Sequence, residues 1–234
     1  AWYLPAAPGA PVVVLMHGWG ASAESLLPLG AALRRGGHAV LMLDARGHGA
    51  SDEDSFASMP RFAEDIEAGL EWLATRTGPP PARRILVGHS VGGAAALLAA
   101  ARRDDVAAVV SLSAFDHPER VMRTWLERAH IPYHPLGWLI CRHVERVIGH
   151  RFDDIAPAAT NRRVRCPVLI GHGAEDDTGP PDAARLIHAH ADPALARLLI
   201  LPGYGHDRVP SFDHLGETIL AFLAEVTRDG AAPG

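Results

Sequence analysis

The most constraining feature of this sequence is an alternation of short apolar runs with segments of helical periodicity. The runs are apolar at successive positions, so both faces of each are suited to burial, as in a parallel sheet that is covered on both sides. The six runs are residues 12–16, 39–43, 85–87, 107–112, 168–170 and 198–201. This βα alternation predicts an α/β fold in which a mostly parallel sheet carries helices on both faces.

Apolar residues at intervals of three and four predict the helices. One begins near Ser22 and ends at Gly36 and Gly37, and a second has Pro60 in its first turn. A third, residues 91–101, is apolar nearly all round and is therefore expected to be buried. The last covers residues 212–226, with its apolar positions on one face.

Residues 115–163 interrupt the alternation, because they contain no strand pattern. Two amphipathic helical segments, 118–129 and 136–148, fill most of this stretch, which is too long for a plain connection. We expect a helical lid over the carboxyl ends of the strands, where open α/β sheets bind ligands. The alternative is a packed insertion that does not contact substrate. The aromatic candidates for the substrate pocket in this segment are Trp125, Tyr133 and Trp138.

Composition excludes several classes of protein. Hydrophobic residues make up 48% and charged residues 21% of the 234 residues, which excludes a disordered or collagen-like chain. No apolar run reaches the roughly 18 residues of a membrane span. The net charge is −5 and no basic patch stands out, which argues against a nucleic-acid partner. The two cysteines, Cys141 and Cys166, suit neither a disulfide framework nor a metal site.

The motif that carries chemistry is Gly-His-Ser-Val-Gly at residues 88–92. It follows a predicted strand and begins a predicted helix, which is the context that the G-x-S-x-G pattern requires. A sharp turn there holds the serine in a strained conformation above the sheet, and glycines are needed beside it because larger residues would clash. Ser90 is therefore the candidate nucleophile.

A glycine-rich turn, His17-Gly18-Trp19-Gly20, follows the first run and can direct a backbone N–H at an oxyanion. The candidate donors are the backbone N–H groups of Trp19 and Val91. The indole of Trp19 either forms a wall of the acyl pocket or packs in the ordinary way. His17 is expected to be structural.

The base and its acid are expected on the turns that follow the last two runs. His206, after residues 198–201, is the candidate base, and a carboxylate after residues 168–170 can orient it. Glu175, Asp176 and Asp177 compete for that role. The resulting order, serine then acid then histidine, is typical of α/β-hydrolases.

With these four motifs in order over about residues 11–226, the chain resembles a serine hydrolase of the α/β-hydrolase superfamily, esterase- or lipase-like with a helical lid. In the family the acid lies four residues after the histidine of the strand-end His-Gly turn, which selects Asp176 from His172. The family's D-x-R-G-H-G-x-S run, residues 44–51 here, is mainly structural, so Asp44, Arg46 and His48 are not assigned catalytic roles.

The resemblance implies a core of residues 1–114 and 164–234 and a lid of residues 115–163. Only eleven residues precede Val12, so the N-terminus is expected to be short and the sheet to have six or seven strands. The resemblance further implies hydrolysis of small to medium carboxylic esters through an acyl-enzyme, without a metal or organic cofactor.

Other functions share the same residues and stay open: acyl transfer, a thioesterase, a peptidase-like hydrolase, or a member of the fold that only binds a ligand. The expected partner is a small ester. The sequence leaves the oligomeric state and the compartment open, although a soluble cytoplasmic protein is favoured.

Overall fold

The computed structural model describes residues 1–76, 78–207 and 214–229. In this part of the chain a seven-stranded sheet has the order β1-β3-β2-β4-β5-β6-β7. Strand β1 is antiparallel to β3, and every other pair is parallel. The strands are β1 (Trp2–Leu4), β2 (Val12–Met16), β3 (Ala39–Leu43), β4 (Arg84–His89), β5 (Ala108–Leu112), β6 (Val168–Gly173) and β7 (Ala196–Leu201).

The six predicted strands are confirmed, with ends that differ from the prediction by at most three residues. The short N-terminal segment adds the seventh, so the expectation of six or seven strands is correct. Strands β2 to β6 are buried along almost their whole length, which explains why they are apolar at successive positions. Since β2 to β7 are parallel, their carboxyl ends lie at one edge of the sheet.

Helices pack on both faces of the sheet, as predicted. The α-helices of the described residues are α1 (Leu27–Arg35), α2 (Met59–Ala74), α3 (Val91–Arg102), α4 (Pro118–Arg128), α5 (Trp138–Ile148), α6 (Phe152–Ile155), α7 (Pro157–Thr160), α8 (Asp182–Ala189) and α9 (Leu215–Asp229). Phe212, the predicted start of the last helix, lies outside the described residues.

Two apolar layers, one on each face of the sheet, hold the helices in place. Val12, Val14 and Met16 of β2 belong to the layer that contains α2, α3 and α8. Val13 and Leu15 belong to the layer that contains α1 and α9. This alternation is the period-2 pattern of a strand with two buried faces.

The structure describes all of the insertion, residues 115–163. Its regular secondary structure is entirely helical, and it contains no strand. Helices α4 and α5 match the predicted segments 118–129 and 136–148. Leu126, Phe152 and Ile155 of the insertion are buried in the same apolar layer as α3. The short helices α6 and α7, and α8 beyond them, had no counterpart in the sequence prediction.

Both cysteines are buried and free. No helix in the described parts of the chain has the length and apolar character needed to cross a bilayer.

Candidate active site

Ser90 lies on a sharp turn between β4 and α3. Its φ of +55° and ψ of −121° place it in a region that residues other than glycine rarely adopt. The two glycines of the motif make the turn possible. A Cβ on Gly88 would lie 2.1 Å from the Gly92 carbonyl oxygen, and a Cβ on Gly92 would lie 2.4 Å from the carbonyl oxygens of Met16 and His17. The strain at Ser90 is therefore imposed by close packing of the turn against β2.

His206 brings together the two other candidate groups. Its Nε2 is 3.0 Å from Ser90 Oγ, and its Nδ1 is 2.7 Å from Asp176 Oδ2. With the ring proton on Nδ1, His206 donates to the carboxylate and accepts from the serine hydroxyl. Although 116 residues separate Ser90 from His206, both follow the carboxyl ends of parallel strands, β4 and β7.

Of the three competing acids, Asp176 is buried, whereas Glu175 and Asp177 are exposed. Asp176 Oδ1 accepts hydrogen bonds from the backbone N–H groups of Thr178, at 3.0 Å, and Gly179, at 2.8 Å. The carboxylate therefore points inward on its turn, while its two neighbours point to solvent.

His172 is a further donor to the same carboxylate. Its Nε2 is 3.1 Å from Asp176 Oδ2 and 2.8 Å from the Gly179 carbonyl oxygen, and its ring is fully buried. Burial alone would raise the pKa of Asp176. Hydrogen bonds from His172, His206 and the Gly179 N–H outweigh burial and hold that pKa well below its usual range. Asp176 is therefore a fixed anion beside His206.

The turn after β2 lies directly against Ser90. A Cβ on Gly18 would be only 3.2 Å from both Ser90 Cβ and His89 Nδ1. The next residue, Trp19, lines the same cavity as Ser90. The N–H of Val91 is at the first position of α3, where a helix leaves its N–H groups without an intrahelical acceptor.

His17 is structural. Its Nδ1–H donates to the Gly18 carbonyl at 2.7 Å, and its Nε2 accepts from the Ala45 N–H at 3.0 Å. It thereby joins the turn after β2 to the loop after β3. Asp44 Oδ1 in that loop accepts from the Ala23 N–H at 2.8 Å.

The rest of the run at residues 44–51 also supports the loop. The Arg46 guanidinium contacts the Asp65 carboxylate at 2.7 Å, and the ring of His48 packs against those of His17 and Phe62. The expectation that this run is structural agrees with these contacts.

His89, between the glycine and the serine of the motif, holds the backbone of the candidate base. Its Nε2–H donates to the His206 carbonyl at 3.0 Å, and the two rings are 5.0 Å apart. No specific role for His89 or His172 follows from the sequence. Their positions within the serine and acid motifs were the available signal.

A cavity of about 700 Å³ opens beside Ser90 and His206. Its wall is mostly apolar and is formed by the turn after β2, the start of α2, and helices α4 to α6. The apolar side chains that the insertion contributes include Val121, Met122, Trp125, Val144, Ile148, Phe152 and Ile155. Trp19 and Trp125 both line the cavity, with their ring centroids 6.5 Å apart.

Two of the predicted pocket residues lie elsewhere, so those predictions are corrected. The Tyr133 hydroxyl donates to Glu119 Oε1 at 2.6 Å, and the guanidinium of Arg123 stacks on its ring. Trp138 is 44% exposed and lines a separate shallow groove on α5. Helix α5 turns Val144 and Ile148 toward the cavity, so Trp138, on another side of the helix, faces away from it.

Residues 1–76, 78–207 and 214–229 contain no group of three or more His, Cys, Asp or Glu side chains suited to holding a metal ion.

Comparison with known proteins identifies the family. The family model described as serine aminopeptidase, S33, matches residues 8–139, more than half of the chain. The chain belongs to this family of α/β-hydrolases. An uncharacterised protein of Mycobacterium tuberculosis H37Rv is 31% identical over 232 residues, which are 96% of this hydrolase and 74% of the relative.

Solved structures with lower identity share the α/β-hydrolase fold. Est1E from Butyrivibrio proteoclasticus, solved with ferulic acid, is 22% identical with a TM-score of 0.77 and covers 97% of this chain and 94% of its own. A monoacylglycerol lipase of Paleococcus ferrophilus is 20% identical with a TM-score of 0.69, covering 93% and 96%. The family match makes the protein a hydrolase of the α/β-hydrolase family, and these esterase and lipase structures share its fold.

The buried histidine His89 predicts a loss of stability in mild acid. Burial, followed by the charge of His206, lowers the pKa of His89 to about 4, against about 6.5 in an unfolded chain. Between these two pH values the unfolded chain binds more protons than the folded chain. The contribution of His89 to the free energy of unfolding is therefore fully present above pH 6.5 and is lost as the pH drops toward 4. The expected contribution of His89 is about 2 kcal/mol between pH 7 and pH 5.

Chemical denaturation at these two pH values measures the effect. His89→Gln keeps an N–H donor but does not titrate, so its stability should decrease less than that of the unmodified chain. His143→Gln, on an exposed position of α5, is the control and should leave the pH dependence unchanged. Equal pH dependence in all three proteins would contradict the assignment.

Proposed function

We propose that this chain is a serine hydrolase that cleaves small to medium carboxylic esters through an acyl-enzyme on Ser90. The observation that carries the proposal is the hydrogen-bonded series from Ser90 through His206 to Asp176, beside a mostly apolar cavity. A nucleophile, a base and a group that orients the base are the parts that such chemistry needs.

In the first half of the reaction, Ser90 Oγ attacks the acyl carbon while its proton passes to His206 Nε2. The carbonyl oxygen becomes an oxyanion, which accepts hydrogen bonds from the backbone N–H groups of Trp19 and Val91. His206 then gives its proton to the leaving alkoxide oxygen. The C–O bond breaks, and the acyl group stays on Ser90 as an ester.

In the second half, water gives a proton to His206 and attacks the acyl carbon. The second tetrahedral intermediate collapses, Ser90 recovers its proton from His206, and the carboxylic acid leaves. Throughout, Asp176 holds the Nδ1 proton of His206 and stabilises the imidazolium. No metal or organic cofactor takes part in these steps.

Apolar residues from α4 to α6 line the cavity and support an apolar acyl group as its occupant. The insertion then acts as the lid of the substrate site. A volume of about 700 Å³ suits an ester of small to medium size better than a long triglyceride.

A peptidase-like activity is the second candidate, because the matching family model is described as a serine aminopeptidase. Turnover of p-nitrophenyl acetate and butyrate supports the ester proposal, whereas preference for amino-acid p-nitroanilides supports the second candidate. Tight binding of a small ligand without turnover of either class would favour a binding protein.

Replacement of the nucleophile tests the proposal directly. Ser90→Ala should lower kcat by about 10⁴- to 10⁶-fold with little change in Tm, because the whole catalytic unit depends on the nucleophile. A fluorophosphonate should label Ser90 and no other serine. Ser111→Ala, a buried serine on β5, is the control and should keep its activity. Labelling of Ser58 or Ser113, which line the same cavity, would contradict the assignment.

The acid can be tested with three isosteric variants. Asp176→Asn should lower kcat/KM by about 10⁴-fold, because the amide permits the wrong tautomer of His206. Asp177→Asn and Glu175→Gln remove exposed charges and should change kcat/KM only slightly. The measurement is kcat/KM on one ester. If Asp177→Asn were the impaired variant, the acid would be misassigned.

The cavity wall predicts an effect on substrate size. Trp125→Ala should shift the preference of kcat/KM toward longer acyl chains, because it enlarges the cavity next to Trp19. Trp138→Ala removes a tryptophan of similar exposure outside the cavity and should leave the profile unchanged. A series of p-nitrophenyl esters from acetate to decanoate measures both. Equal losses on every ester would assign Trp125 a packing role.

A further inference from the structure

Large apolar side chains that are exposed to solvent concentrate on the insertion. Five of the nine such residues in the described chain lie there, although the insertion is a small part of the sequence. They are Trp125, Leu136, Trp138, Leu139 and Val147. Singly scattered exposed hydrophobic residues need no explanation, but a cluster of them marks an interaction surface.

Helix α5 has two faces of different character. Its inner face is buried against the rest of the protein, and there Val144 and Ile148 line the catalytic cavity. We define the outer face as Trp138, Leu139, Arg142, His143, Arg146 and Val147, which recur at helical spacing on the opposite side.

The outer face combines exposed apolar side chains with cations. All of α5 is described, and its one acidic residue, Glu145, is buried and accepts a hydrogen bond from the Phe152 N–H at 2.8 Å. Arg142 contacts the second oxygen of Glu145 at 2.8 Å and is still about one-third exposed. The solvent-facing positions of the helix therefore carry no carboxylate.

The insertion also differs in charge from the rest of the chain. The insertion has eight arginines and six carboxylates, whereas the whole chain has a net charge of −5. The insertion is thus the positive part of an acidic protein. An anionic partner would be attracted to the insertion and repelled by the rest of the surface.

We propose that the outer face of α5 docks the protein onto an anionic phospholipid bilayer. Tryptophan and leucine at the headgroup boundary, with arginines beside them, are what an interfacial helix requires. A helix with its side chains is about 10 Å across, so docking would place the bilayer about one helix diameter from the catalytic cavity. The proposal goes beyond the proposed function and does not depend on it, because binding is measured without turnover.

Sedimentation with large unilamellar vesicles tests the proposal, with the full chain and with Ser90→Ala to exclude hydrolysis of the lipid. Vesicles of phosphatidylcholine with roughly 30% phosphatidylglycerol should bind both proteins, and pure phosphatidylcholine should bind them at least about tenfold more weakly. Raising the salt from about 0.1 M to 1 M should release them, since screening removes the attraction between charges.

Two variants locate the surface. Trp138→Ser combined with Leu139→Ser should weaken binding to the anionic vesicles by about tenfold or more. Arg146→Glu should abolish the preference for anionic over neutral vesicles. Trp72→Ser is the control, since Trp72 is 41% exposed on α2, outside the insertion, and should not change binding. Unchanged Tm values ensure that each variant is folded.

Several results would overturn the proposal. These are no binding of the full chain to either vesicle, equal binding to both, and binding that the variants on α5 leave unchanged. Analytical ultracentrifugation tests whether the outer face instead forms a dimer interface. A dimer that Trp138→Ser with Leu139→Ser dissociates would assign the outer face to a second copy of this chain. If the full chain bound the vesicles but did not hydrolyse soluble esters, the proposed function would be refuted and the docking proposal would stand.

Discussion

The close approach of the turn at Ser90 to the end of β2 is the constraint on which the site depends. A Cβ on Gly92 would collide with two carbonyl oxygens of β2 and its turn, so the first turn of α3 packs directly on the neighbouring strand. This contact forces Ser90 to a positive φ and holds its hydroxyl above the sheet. It also brings the turn of Gly18 against Ser90, so one packing contact positions both the candidate nucleophile and the turn that carries a candidate oxyanion donor.

A second set of contacts fixes the candidate base and acid. His206 is held at its backbone by His89 and at its ring by Asp176, while Asp176 is held by His172 and two backbone N–H groups. Because the carboxylate has these donors, it stays ionised although it is buried. The pKa of His89, by contrast, is lowered, because burial and the charge of His206 outweigh its hydrogen bond to the His206 carbonyl. His89 therefore links the geometry of the site to stability in mild acid.

One helix of the insertion, α5, contributes side chains both to the cavity wall and to the exposed surface. Val144 and Ile148 of α5 lie on the cavity wall, while Trp138 and Leu139 are exposed on other sides of the helix. Amphipathic periodicity shows only that a helix has two different faces. Here both faces contain apolar residues, so the pattern did not distinguish the face that lines the cavity from the face that meets solvent.

The sequence by itself predicted the sheet, most of the helices, and Ser90 and His206 as candidate site residues, whereas only the resemblance to the family selected Asp176 from three adjacent carboxylates. Strands with two buried faces and the glycines of a strained turn are local requirements, and each leaves a readable pattern. Tertiary structure alone decided that Trp125 lines the cavity while Trp138 and Tyr133 do not, and that His89 and His172 contact the base and the acid. These facts depend on how α4, α5 and the strand-end loops pack. Packing joins residues that are distant in the chain, so no local pattern records it.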